Sequence, residues 1–157
     1  MRISALAFLL LGFGALWAQD QKSAAKPMVV FVCEHGSAKS VIAALEFDRM
    51  AKEQGLDVKI LARGANPDAE IPMLVRDGLK ADGYDAGAMK PTKVSAKDLK
   101  GAAKIVSFGP DLKPLLSEGV VVLHWSATPS VSEDYRAARD YIRQQLDTLL
   151  KDLKRQQ

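Results

Sequence analysis

A chain of 157 residues that is 48% hydrophobic holds enough apolar material for one domain with its own core, and a formal charge of +3 is too mild to point to nucleic acid. The 22 Lys and Arg are scattered among 19 acids with no dense basic block. The one cysteine excludes an internal disulfide, so stability must come from the core.

Met1-Arg2 is a short basic start, and Ile3 to Leu16 is almost wholly apolar or small. Leu16-Trp17-Ala18 before Gln19-Asp20 has a small residue ahead of a polar stretch, the pattern of a secretory signal peptide cleaved after Ala18. The run is short for a membrane span, which needs about 20 residues, so an uncleaved anchor is the lesser alternative. Cleavage lowers the formal charge from +3 to +2. Residues 19–26 then form a polar, flexible lead, and residues 27–157 one α/β domain. The expected location is secreted or periplasmic. In that oxidising setting an odd cysteine is a reactive thiol or an intermolecular link.

Val29–Val32 is a continuous apolar strand that ends in Cys33. A short loop, Glu34-His35-Gly36-Ser37-Ala38, leads into a helix from Lys39 to Gln54, stopped by Gly55. Val58–Ala62 is a second strand, broken by Gly64 and Pro67. Pro72 suits the first turn of a helix to about Asp82, although Gly78 weakens it by about 1 kcal/mol relative to Ala. Residues 83–92 read as loop, and Ser95 with Asp98 forms a capping box for a short helix. Ile105–Phe108 is a third strand, ended by Gly109-Pro110. A helical turn at Leu112–Leu116 leads to a fourth strand at Val120–Leu123. Ser132 to Lys154 is the long terminal helix, with Tyr135, Ala138, Ile142, Leu146 and Leu149 on one stripe. Continuous apolar strands alternating with helices predict a four-stranded parallel sheet covered on both faces. Ligands in such sheets bind beyond the carboxyl ends of the strands, where Cys33 stands.

Cys33, five loop residues, Lys39 and Ser40 make a phosphate-cradling pattern. Loop amides and the positive end of the helix can bind an oxyanion and favour a thiolate beside it. Gly36 provides the left-handed conformation that a tight anion nest needs. Ser40 is placed to donate to the thiolate, and Lys39 to offset the oxyanion's charge. The alternative is a buried, inert cysteine closing a strand. A Cys33–His35–His124 zinc site has suitable residue types but matches no established spacing, so no metal and no cofactor are expected.

This loop resembles that of the low-molecular-weight protein tyrosine phosphatases and the related thiol-dependent arsenate reductases. The resemblance extends through Leu61-Ala62-Arg63-Gly64, Met89 to Ser95, Ala103 to Gly109, and His124-Trp125 followed by Thr128-Pro129. It implies a three-layer fold with helices on both faces of the sheet and phosphomonoester or arsenate chemistry. Cys33 is then the nucleophile, Lys39 and Ser40 its catalytic companions, and residues 34–38 the oxyanion loop. Implied partners are a phosphorylated substrate or a free oxyanion, phosphate or arsenate.

Three positions depart from the family's pattern. The family has Arg at the place of Lys39, and losing a bidentate fork costs about 10²–10⁴ in rate. It has an acid Asp where Thr128 stands, and general acid help is worth about 10²–10⁴-fold. It usually has Asn where Gly36 stands. Arg63 and Asp134, or its neighbour Glu133, are the expected compensations: Arg63 as a second oxyanion ligand, the acids as proton donors. Against these stand a solvated Arg63 and acids that merely favour a helix start. The expected activity is exported phosphomonoester hydrolysis, weak for these reasons. The alternatives are an oxyanion-binding module without catalysis, and arsenate reduction with an external thiol, because the relay version needs further cysteines.

Overall fold

The structure, a computed structural model, describes residues 26–156, so the expected signal peptide and most of the expected lead lie outside the described residues. No helix among the described residues is long and apolar enough to cross a membrane. Four parallel strands form one sheet in the order β2-β1-β3-β4. They are β1 (Met28–Cys33), β2 (Lys59–Gly64), β3 (Lys104–Ser107) and β4 (Val122–His124). The α-helices are α1 (Lys39–Glu53), α2 (Met73–Ala81), α3 (Ala96–Leu99) and α4 (Tyr135–Lys154), with a 3₁₀ turn at Lys113–Leu115.

β1 is central and buried along almost its whole length, which is why it reads as unbroken apolar sequence. Its side chains alternate between two cores. Val29, Phe31 and Cys33 join α1, α2 and α4 residues such as Ile42, Phe47, Val75, Leu79, Ile142 and Leu146. Val30 and Val32 join Ile105, Val94, Leu99 and Leu112 on the other face. The strand order places β2 on one side of β1 and β3 on the other, so the chain reverses direction across the sheet at the β1/β3 border. A crevice opens beyond the carboxyl ends at such a switch point.

Gly78, unfavourable inside a helix, has a packing reason. A Cβ there would lie 2.6 Å from the Tyr135 ring, so only glycine lets α4 approach α2 this closely. Glu46 is fully buried on α1, yet its carboxylate accepts from Arg49 at 2.8 Å and from Arg143 of α4 at 2.7 Å. The pair satisfies a charge that burial alone would penalise and ties α1 to α4.

Several boundaries differ from the sequence reading by one to three residues; β2, for example, pairs through Gly64, where the sequence predicts a break. The fourth strand starts at Val122 rather than Val120, because pairing with β3 begins at Ile105–Val122 and leaves Val120 and Val121 exposed. The last helix starts at Tyr135 rather than Ser132, because Asp134 caps it through the Ala137 amide at 2.9 Å.

Candidate active site

Cys33 ends β1 opposite Gly64 of β2, and its Sγ faces the loop that follows. The Gly36 amide donates to Sγ at 3.2 Å, and the Ser40 hydroxyl lies 3.1 Å from it. Gly36 adopts φ +62°, which folds residues 34–38 back over the thiol. Ala38, at the N-cap of α1, has no side-chain acceptor to offer, and no acid occupies the helix's first turn. The first-turn amides of α1 are thereby left for a ligand, and the helix dipole adds positive potential there. The cysteine is 6% exposed but lines an open cleft of about 550 Å³. It is buried, yet it borders the cleft.

Glu34, His35, Ser37, Ala38 and Lys39 line this cleft from the loop. Thr128, Ser130, Val131 and Ser132 close it from the segment before α4, and Phe108 from the end of β3. Phe108 and Trp125 pack edge to face at 5.7 Å, and Trp125 leans on Phe31, so the wall rests on the core. Lys39 is tethered: its Nζ donates to the Thr128 carbonyl at 2.7 Å. Thr128 turns its hydroxyl away, to the Trp125 carbonyl at 2.7 Å, so the residue braces the wall of the cleft instead of reaching into it.

Two expected compensations fail. Arg63 lies in register with Val32, so it projects to the opposite face of the sheet from Cys33. Its Nη2 donates to Asp98 at 2.9 Å and its Nη1 to the Ala62 carbonyl at 2.9 Å. It is neither an oxyanion ligand nor a solvated charge but a staple between β2 and α3. Asp134 is spent on capping α4, and neither it nor Glu133 lines the cleft. His124 is exposed at the end of β4 and is absent from the cleft's lining. Among the described residues no three His, Cys, Asp or Glu converge to hold a metal ion.

Beside the wall residues, the sequence reading missed one ionisable residue of the cleft. Asp68 sits in the loop between β2 and α2, and its carboxylate accepts from the Ser37 hydroxyl and lies 3.3 Å from His35 Nδ1. The only signal in the sequence was position: the turn Asn66-Pro67-Asp68 follows a strand ending on the same side as Cys33.

The Arg63–Asp98 staple makes stability depend on pH. Burial pushes the Asp98 carboxyl up, but hydrogen bonds from Arg63 and Ser95 outweigh it and hold the carboxyl below its ordinary value. A carboxyl lowered by folding stabilises fully above its unfolded value of about 3.9 and loses that contribution as pH falls through the folded value. Asp98→Asn is therefore expected to lower the thermal midpoint at pH 7, with the gap to the native chain narrowing as pH falls below the unfolded value of about 3.9. A gap that stays constant down to pH 2 would contradict this account.

No family model matches the chain, and no curated protein is similar to it in sequence. Solved structures are similar to it in fold. YfkJ from Bacillus subtilis superposes with a TM-score of 0.75 at 16% identity, over 86% of this chain and 99% of that one. A low-molecular-weight protein tyrosine phosphatase from T. tengcongensis gives 0.65 at 17% identity, over 81% and 99%. The Corynebacterium glutamicum thioredoxin-dependent arsenate reductase gives 0.70 at 20% identity, over 86% of this chain and 65% of that one. The chain therefore has the fold shared by the low-molecular-weight protein tyrosine phosphatases and these arsenate reductases.

Proposed function

We propose that the protein is a cysteine-dependent phosphomonoester hydrolase that works without a cofactor. The observation that carries this is the Cys33 sulfur, held by Gly36 and Ser40 at the uncapped N-terminus of α1 inside an open cleft. That arrangement places a nucleophile beside a ready-made oxyanion nest. In the reaction Sγ bonds to phosphorus as the bond to the leaving oxygen breaks. Water then attacks the cysteinyl phosphate and releases inorganic phosphate. The α1 amides bind the phosphoryl oxygens, and the Lys39 ammonium lies at the edge of the nest, bound to the wall that Thr128 forms.

The same residues support weak turnover. Lys39 offers a point charge where a fork clamps better, and Thr128 has no proton to give near neutral pH. Export through residues 1–18 is part of the proposal and rests on sequence alone. The tether from Lys39 to the Thr128 carbonyl favours the second reading, an oxyanion-binding module that keeps the nest without catalysis. Arsenate reduction needs an external thiol, since the chain has one cysteine.

Acid quench during turnover of an aryl phosphate is expected to trap one phosphoryl group on Cys33, seen by intact mass and peptide mapping. Phosphate and arsenate should protect Cys33 from iodoacetamide. Protection without any trapped phosphoryl group or turnover would replace the hydrolase with the binding module. A thiol that alkylates only after denaturation would remove both.

A further inference from the structure

We propose that His35, oriented by Asp68, is the general acid and base of this site, in place of the missing carboxylate at position 128. This rests on the phosphatase reading above. Four residues lining the cleft carry an ionisable group besides Cys33: Glu34, His35, Lys39 and Asp68. Lys39 Nζ is bound to the Thr128 carbonyl, and Glu34 accepts from Asn66 at 2.6 Å. Asp68 has one oxygen on the Ser37 hydroxyl and the other 3.3 Å from His35 Nδ1. The imidazole Nε2 has no partner and belongs to the one group of the four whose ordinary pKa lies near neutrality, whereas the free oxygen of Glu34 belongs to a carboxyl that is ionised there. The His35 side chain is 62% exposed, so a substrate's leaving group can reach it.

The pairing is built into the backbone. Ala65, Asn66 and Asp68 amides donate to the carbonyls of Cys33, Glu34 and His35 at 3.0, 2.8 and 3.0 Å. The loop after β2 thus runs along the loop after β1, and Asp68 is brought beside His35 two residues from the nucleophile. Ser37 is itself 1% exposed, which anchors the carboxylate to the buried side of the nest. A carboxylate close to Nδ1 favours a proton on that nitrogen, which leaves Nε2 for proton transfer. Imidazole is the side chain whose charge changes between about pH 5 and 8, which suits a donor and acceptor near neutrality. The titratable groups that line the cleft with it are Asp68 from the β2–α2 loop, Glu34 and Cys33 from its own loop, and Lys39 from α1.

In the first step the Sγ–phosphorus bond forms, and the electron pair of the breaking phosphorus–oxygen bond goes to the leaving oxygen. That oxygen takes the proton from His35 Nε2. In the second step Nε2 takes a proton from water as its oxygen bonds to phosphorus, and the sulfur–phosphorus bond breaks to restore the thiolate. Asp68 keeps its charge throughout and is a positioning residue.

The test is kcat/KM for a series of aryl phosphates, from 2,4-dinitrophenyl to phenyl, with the native chain, His35→Gln, Asp68→Asn and Cys33→Ser. His35→Gln is expected to lose about 10²-fold or more on phenyl phosphate and little on the dinitrophenyl ester, whose leaving oxygen needs no proton. Asp68→Asn should steepen the same leaving-group dependence and move the pH profile, which loss of packing alone would not do. His35 is exposed, so its replacement leaves folding intact, and phosphate protection of Cys33 checks that the nest survives. Equal losses across the series, or none, with activity still dependent on Cys33, would overturn the role of His35 alone. Activity that survives Cys33→Ser, or no turnover by the native chain, would overturn the phosphatase reading itself.

Discussion

Replacing Cys33 by Ser is expected to abolish turnover of p-nitrophenyl phosphate, and replacing Lys39 by Arg to raise it tenfold or more. The first follows from the mechanism, because no other residue in the cleft is a nucleophile held at an anion nest. The second follows from geometry at the start of α1. The Lys39 ammonium is a compact charge that donates to the Thr128 carbonyl at 2.7 Å, so one of its three N–H groups is used on the cleft wall. A guanidinium presents two parallel donors to a phosphoryl group and keeps others for the wall. Donors aimed at developing charge are worth about 10²–10³ in rate each, so tenfold is a modest share. The measurement is kcat/KM for Lys39→Arg alone and with Cys33→Ser, where the gain should vanish. Thr128→Asp should add to it chiefly for poor leaving groups. If Lys39→Arg is slower than a brisk native enzyme, the lysine is tuned for a different chemistry and its tie to the Thr128 carbonyl is part of that design.

Placing asparagine at position 36 is expected to do the reverse. Gly36→Asn should destabilise the fold by about 1–3 kcal/mol and lower activity. Gly36 and Gly64 meet back to back: a Cβ on Gly36 would lie 2.7 Å from the Gly64 nitrogen, and one on Gly64 would lie 2.6 Å from the Gly36 nitrogen. Both contacts are with backbone, so no rotamer change relieves them. Gly36 also sits at φ +62°, which asparagine tolerates but alanine does not. Gly64→Ala isolates the contact from the dihedral, because Gly64 has no positive φ. It should cost a comparable amount and loosen the nest, since the amide of Gly36 is the one that donates to Cys33. Thermal unfolding and phosphate protection of Cys33 measure the two effects. Native stability in Gly64→Ala would mean that the two loops separate freely.

Much of the candidate site's local geometry is legible in the sequence. Cys33, Gly36, Lys39 and Ser40 lie within one loop-and-helix junction, where contacts follow from short spacing: eight positions fix which amides face the thiol. The capping box of Ser95 and Asp98 was legible for the same reason, and both of its hydrogen bonds are present. Arg63 and Asp134 misled because their roles depend on partners far along the chain. Arg63 lies at the right end of the sheet, but pairing with Val32 turns its side chain to the wrong face, where Asp98 waits 35 positions later. A period of two makes face and register inseparable, and register is not written in one strand.

The sequence by itself determined the fold class and the tight loop that joins Cys33 to the first helix. Strand and helix periodicities and a tight loop are local, set by φ/ψ preference and hydrophobic pattern over a few residues. Only the tertiary structure decided what surrounds the thiol. Asp68 joins His35 because β2 pairs with β1 and carries its loop alongside, and Lys39 is tied to Thr128 across 89 positions. Such contacts arise from parallel crossovers, whose endpoints are set by packing of whole faces and not by any short run of residues.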